Sequence, residues 1–221
     1  MADIRQSSDI LDDFTSYAQG DLLAGEAAPT LWGRVHSGFW CDNEVAHDAS
    51  VTHQEFFTNS MTYWKSLSMD GDDAEAWGRT VGGGDVNGTA WQITLLQNPS
   101  PGSGPVGYRF RWESVGDLYT LRRHDGSYPG SFIDTTPTGP ANEWMLIRRN
   151  GSNVEGWVCP GGDPVGGTWT LVVSAADTTY TTSLYGGIGV VSNFGGQQLG
   201  WQNFGAGAED ELPQIYRRPN E

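Results

Sequence analysis

Asn150-Gly151 lies between two runs rich in strand-forming residues, within NEWMLIRRNGSNVEGWVCPGGDPVGGTWTLVV from Asn142 to Val173. Asn-Gly suits a two-residue hairpin loop, because Asn tolerates positive φ and Gly accepts it freely. With those two residues as the loop, Arg149 faces Ser152. Ile147 then lies opposite Val154, Met145 opposite Gly156, Leu146 opposite Glu155 and Trp144 opposite Trp157.

Side chains alternate along a strand, so directly opposed residues share a face. One face of this hairpin carries Met145, Ile147, Val154 and Val158, and reads as core. The other carries Trp144, Leu146, Arg148, Asn153, Glu155 and Trp157. Tryptophan mixed with polar groups is the pattern of a sugar site, since aromatic faces stack on sugar rings while polar neighbours fix hydroxyls. Trp144, Trp157, Arg148, Asn153 and Glu155 are therefore the candidate glycan contacts. The competing reading is core, because the chain has 10 Trp to bury somewhere.

The rest of the chain points to the same class. Ala74 to Val81, Thr89 to Leu96, Gly107 to Trp112, Asp117 to Arg123 and Gly200 to Phe204 read as strands, and Thr168 to Ser174 and Gly187 to Ser192 as buried strands. Turn signals at GGGDVNG and Asp125-Gly126 separate several of them. Trp91, Ile93 and Leu95 share a face; so do Tyr108, Phe110 and Trp112, with Arg109 and Arg111 on the opposite side. Asp12 to Tyr17 and Ser131 to Asp134 read as short strands. Gln54 to Leu67 is aromatic-rich, with a turn expected at Asn59-Ser60. The expectation is an all-β, two-sheet antiparallel sandwich spanning residues 11–208. An arm of residues 1–10 precedes it and a charged tail of residues 209–221 follows.

A formal net charge of −15 argues against nucleic acid or an anionic membrane as partner, since both require clustered Lys and Arg. No apolar run is long enough to span a bilayer as a helix. MADIRQSSDI lacks the basic and apolar regions of a secretory signal, which suggests synthesis and assembly in a cytoplasm. Cys41 and Cys159 set no disulfide framework and are expected as two thiols.

Several segments taken in order resemble the concanavalin A-like, laminin G-like jelly-roll modules, and specifically those of bacteriophage virion proteins. They are DDFT at Asp12 to Thr15, AEAWGRT at Ala74 to Thr80, GYRFRW at Gly107 to Trp112 and LYTLRRHDG at Leu118 to Gly126. EWMLIRRNGSNVEGWV at Glu143 to Val158, DTTYTTSLYGGIGV at Asp177 to Val190 and WQNFGAG at Trp201 to Gly207 complete the set. The resemblance implies a jelly roll whose first and last strands are neighbours, bringing Phe14 near Phe204. It also implies a virion accessory protein, either a minor tail component or a capsid decoration. Such a protein is made in the host cytoplasm and partnered by other virion proteins in an oligomeric assembly, with cell-surface glycan as a second partner. Ile215, Tyr216, Arg217 and Arg218 in the tail are the candidate docking residues.

Two alternatives belong to other classes: a secreted glycan hydrolase of the laminarinase type, and a free-standing bacterial lectin. Glycanases of this fold carry Glu-x-Asp-x-x-Glu on one strand. The nearest match is Asp70, Asp72 and Glu75 in MDGDDAEAW, which lacks the first Glu and reads as a turn, so no catalytic residue is assigned. Modules of this fold often hold Ca²⁺ through carboxylates. Asp70, Asp72 and Asp73 are the weak candidates, with Asp85 and Asn87 as a second loop.

Overall fold

The computed structural model describes residues 10–12, 14, 30–34, 39–41, 46–48, 58–65, 67–69, 73–82, 89–99, 106–126, 131–137, 143–161, 167–192 and 199–208. These form β1 (Ile10–Asp12), β2 (Trp32–Arg34), β3 (Phe39–Cys41), β4 (Ala46–Asp48), β5 (Thr58–Trp64), β6 (Asp73–Gly82), β7 (Ala90–Asn98) and β8 (Val106–Glu113). β9 (Leu118–Asp125), β10 (Ser131–Pro137), β11 (Glu143–Asn150), β12 (Asn153–Pro160), β13 (Thr170–Ala176), β14 (Tyr185–Ser192) and β15 (Leu199–Ala208) follow. No helix occurs among the described residues.

The strands make two antiparallel sheets. The first runs β13-β12-β11-β6-β15-β4-β3, with β1 also pairing β15; the second runs β10-β9-β8-β7-β14-β5-β2. The expected all-β jelly-roll sandwich is the architecture found. The facing surfaces make one core. Ala74, Ala76, Met145, Ile147, Val154 and Val158 of the first sheet meet Trp91, Ile93, Leu95, Tyr108, Phe110 and Trp112 of the second. Indole N–H groups also cross the gap: Trp91 Nε1 donates to Gly200 O and Trp201 Nε1 to Gly189 O, each at 3.1 Å. Buried tryptophans bring a donor that needs a partner, and here the opposite sheet's backbone supplies it.

The central hairpin forms, but its register differs from the expected one by two residues. Asn150 pairs with Asn153, Arg149 with Val154, Ile147 with Gly156, Leu146 with Trp157 and Trp144 with Cys159. Gly151 and Ser152 make the loop. Gly151 has φ of 56° whereas Ser152 is not among the positive-φ residues. That is the type II′ pattern, which needs positive φ at the first central position alone and places Gly there. Gly-Ser has thus won over Asn-Gly, and Asn150 stays in the ladder. A slip of two preserves which residues share a face, so the expected division into core and outward sides holds.

A Val at Gly151 should lower stability by roughly 1 kcal/mol or more, because a β-branched residue resists positive φ. A Cβ at this position would meet nothing within 4 Å, so the effect isolates backbone strain. Urea unfolding of Gly151→Val beside Gly151→Asn checks it, Asn being the tolerated residue.

The first and last strands meet as the resemblance implied. Ile10 pairs with Gly205 and Asp12 with Phe204. Phe14 does not continue the strand; its φ is 61°, and its N–H donates to Asp12 Oδ1 at 2.8 Å. Trp32 packs between Phe14 and Phe204, with ring centroids 6.0 and 4.9 Å away. Asn59-Ser60, expected as a turn, lies inside β5, paired with Val191 and Val190. Burial of the neighbouring Met61 and Trp64 outweighs the local turn preference there.

A polar latch fixes the β13–β14 connection. Asp177 Oδ1 accepts from Tyr108 Oη and from Thr179 N, both at 2.8 Å, and Asp177 Oδ2 accepts from Arg123 at 2.7 Å. Burial alone would raise the Asp177 carboxyl; the donors from Thr179, Tyr108 and Arg123 outweigh it and hold the group below its ordinary value.

Candidate functional site

The outward face of the first sheet is built by β6, β11 and β12. Glu75 pairs with Arg148 and Arg148 with Glu155, so these three side chains form one row. Trp77, Leu146 and Trp157 form the next row, and Arg79, Trp144 and Cys159 the one after. The corrected register therefore still brings Trp144, Trp157, Arg148 and Glu155 together, with Asn153 at the hairpin end.

These residues differ in how open they are. Trp144 and Trp157 are only 4% and 8% exposed, and they cluster with Trp77, Leu146, Cys159 and Trp169. Trp77 and Trp144 lie 5.6 Å apart, and the Arg79 guanidinium sits 6.0 Å from the Trp144 ring. Neither indole offers an open face for a sugar ring to cover. Asn153 is exposed and Glu155 half-buried. Glu155 Oε2 accepts from Trp157 Nε1 at 2.9 Å, which fixes that indole in plane. Arg148 Nε donates to Glu75 Oε2 at 3.0 Å, and its Nη2 donates to the same oxygen. Glu75 is 0% exposed. Its carboxylate is bound into a buried ion pair and has no open side from which to reach a substrate.

Several other sequence candidates fall elsewhere. Asp70 and Asp72 lie outside the described residues, as do Asp85, Asn87 and the tail residues Ile215, Tyr216, Arg217 and Arg218. Asp73 opens β6, opposite Asn150. Among the described residues no group of three His, Cys, Asp or Glu is placed to hold a metal ion. Cys159 is a buried thiol, and the Cys41 side chain lies outside the described set.

The outward face of the second sheet holds a set that sequence reasoning did not assign. Arg109 pairs with Arg122, Arg111 with Thr120 and Gly107 with His124, while Thr94 and Gln92 lie opposite Arg109 and Arg111. All these side chains are buried. Arg122 donates to Glu113 Oε1 at 2.8 Å. His124 is pushed down to about 3 by burial and by the neighbouring Arg109, Arg122 and Arg111, so it is neutral at physiological pH. The signal was the alternation Arg109/Arg111 and Arg122/His124, which becomes a cluster only once β8 and β9 are paired.

No protein-family model matches the sequence, and no curated protein matches it. Solved structures do match. The VIP36 exoplasmic/lumenal domain in its Ca²⁺/Man3GlcNAc-bound form aligns with a TM-score of 0.60 at 10% identity, over 80% of this chain and 83% of that one. The legume lectin-like domain from Entamoeba histolytica aligns at 0.59 and 9%, over 90% and 98%. The carbohydrate binding module CBM66 from Bacillus subtilis aligns at 0.54 and 14%, over 80% and 96%. At such identities the likeness establishes the fold: a lectin-like, concanavalin A-like jelly roll.

Proposed function

We propose that this chain is a non-enzymatic glycan-binding module carried as an accessory protein of a bacteriophage virion. The observation that supports glycan binding is the whole-chain fold likeness to carbohydrate-recognition domains, one of them solved with Man3GlcNAc. Fold likeness alone does not fix a function, so the residues must supply the rest. On the hairpin face, Asn153 and Glu155 are the groups open to a ligand. Arg148, Trp144 and Trp157 lie beneath them and hold their positions. The buried ion pair of Glu75 with Arg148 supports binding rather than hydrolysis. Ca²⁺ held by Asp70, Asp72 and Asp73 belongs to the same proposal, since VIP36 was also solved in a Ca²⁺-bound form.

Calorimetry of the intact chain with mannotriose, with and without Ca²⁺, tests this reading. The double variant Asn153→Ala/Glu155→Ala should bind roughly tenfold more weakly or worse, having lost two polar contacts, and should unfold at a somewhat lower midpoint because Trp157 Nε1 loses its acceptor. Unaltered affinity in that variant would remove the hairpin face from the site. The virion role rests on the ordered segment resemblance. In it, Ile215, Tyr216, Arg217 and Arg218 dock on a neighbouring virion protein. Deleting residues 212–221 should then reduce incorporation into purified particles, and absence of the intact chain from any particle would reject the virion role.

A further inference from the structure

The observed hairpin register sets Asn150 at the last rung of the ladder, directly before the loop of Gly151 and Ser152. Asn150 lies opposite Asn153 on β12 and opposite Asp73 on β6. Asn150, Gly151, Ser152 and Asn153 are all exposed, and Asp73 is half-buried. Alternation puts position 150 on the outward face of the first sheet, one row from Glu75, Arg148 and Glu155.

The Asn150-Gly151 dipeptide carries a chemical liability. Asparagine is thermolabile, because its side-chain amide carbon can close a small ring with the backbone nitrogen of the next residue. Most residues shield that nitrogen with a side chain. Gly151 does not, and even a Cβ there would meet nothing within 4 Å, so the space around it is open. The closing pair of the hairpin is Asn150 with Asn153, so the Gly151 N–H lies outside the ladder. Turning the Asn150-Gly151 peptide disturbs only this last rung, and the ends of elements open most readily. Glycine adds the least resistance to that turn.

We propose that Asn150 is a site of spontaneous deamidation that changes the hairpin irreversibly as the protein ages. The Gly151 nitrogen gives up its proton and bonds to Asn150 Cγ. The Cγ–Nδ2 bond breaks and ammonia leaves with a proton, which closes a cyclic imide. Water then opens the imide at one carbonyl or the other, giving aspartate or isoaspartate, with no change of oxidation state. Either product puts a carboxylate at position 150, opposite Asp73, and like charges directly opposite on a sheet destabilise the pair. The row of Asp73, Asn150, Asn153 and Ala176 holds no cation to offset it, and Arg148 in the next row is bound to Glu75. Isoaspartate also lengthens the backbone by a methylene at the rung that closes the loop, where register is set. The change falls beside Asn153 on the proposed glycan face, but the reaction does not depend on that reading.

Incubation of the intact, folded chain at neutral and mildly alkaline pH, followed by peptide mapping with mass spectrometry and an isoaspartate assay, tests the proposal. The mass gain of amide-to-acid conversion should appear at Asn150 well before Asn59, Asn98, Asn153 or Asn203. It should come faster at the higher pH, since the deprotonated nitrogen is the attacking form. The peptide map separates Asn150 from Asn87-Gly88, the other Asn-Gly pair of the chain. Gly151→Asn keeps a residue that tolerates the positive φ, and its side chain should slow conversion at Asn150 several-fold by shielding the nitrogen. Asn150→Asp, the direct product, should unfold at a lower midpoint than wild type at low salt, and Asn150→Asp/Asp73→Asn should recover the loss. Conversion at Asn150 no faster than at Asn153 in the folded chain, or an unchanged rate in Gly151→Asn, would overturn the modification site. A midpoint for Asn150→Asp equal to that of wild type would overturn its effect on the hairpin.

Discussion

Arg148→Met is expected to destabilise the domain by about 3–5 kcal/mol, the range for removing one partner of a buried ion pair. Glu75 is fully buried near the start of β6, and Arg148 is its cross-strand neighbour on β11. Two N–H groups of one guanidinium converge on Glu75 Oε2. Taking them away deprives a buried carboxylate of two donors beside the Trp77 and Leu146 row of the same face, where water cannot replace them. The loss comes from stranding a charge, not from the net worth of the pair. The double variant Glu75→Leu/Arg148→Met should therefore recover most of the stability, because a buried pair exchanged for apolar groups is often neutral. Urea unfolding of the two single variants and the double checks this. A single variant as stable as wild type would mean that the pair carries no buried charge.

Trp32→Ala should cost a similar amount, about 3–5 kcal/mol from cavity formation alone. Trp32 is fully buried where β2 packs on Phe14 and on β15. Trp64 meets its ring edge-on at 5.2 Å, and Phe14 and Phe204 pack on it from the side of the opposite sheet. Its Nε1 donates to Asp12 Oδ2 at 2.7 Å, while Asp12 Oδ1 holds the Phe14 backbone. One deletion thus opens a cavity and removes a donor from a buried carboxylate. Trp32→Phe separates the two effects, since it fills most of the space and still loses the hydrogen bond. Thermal unfolding should rank wild type, then Phe, then Ala. Equal midpoints for Phe and wild type would deny Asp12 its role.

Fold class was legible because it depends on period-two patterning, which is local. Trp91, Ile93 and Leu95, and Tyr108, Phe110 and Trp112, face the core as their alternation implied. The hairpin was legible in kind but not in register. Asn-Gly and Gly-Ser are overlapping turn signals, and the choice between them is made by which pairing fits β6 and β13 on either side. Asn59-Ser60 failed for a related reason: packing beneath β5 overrides a turn preference.

The outward faces were the least legible. Whether Trp144 and Trp157 are a platform or a second core depends on what packs over the sheet, and alternation cannot say. Glu75, Trp77 and Arg79 alternate in AEAWGR, so their shared face could have been read; Arg148, the partner of Glu75, lies 73 positions away. The row of Thr94, Arg109 and Arg122 draws one residue from each of three strands. No window of sequence contains it, and only strand order assembles it.

The proposed function stands on glycan recognition, and a glycan microarray probed with the intact, folded chain in the presence of Ca²⁺ tests it directly. Selective binding to a subset of glycans, with mannose-containing structures among them, is the predicted result. Signal no higher than that of a heat-denatured control across neutral and acidic glycans alike would contradict it.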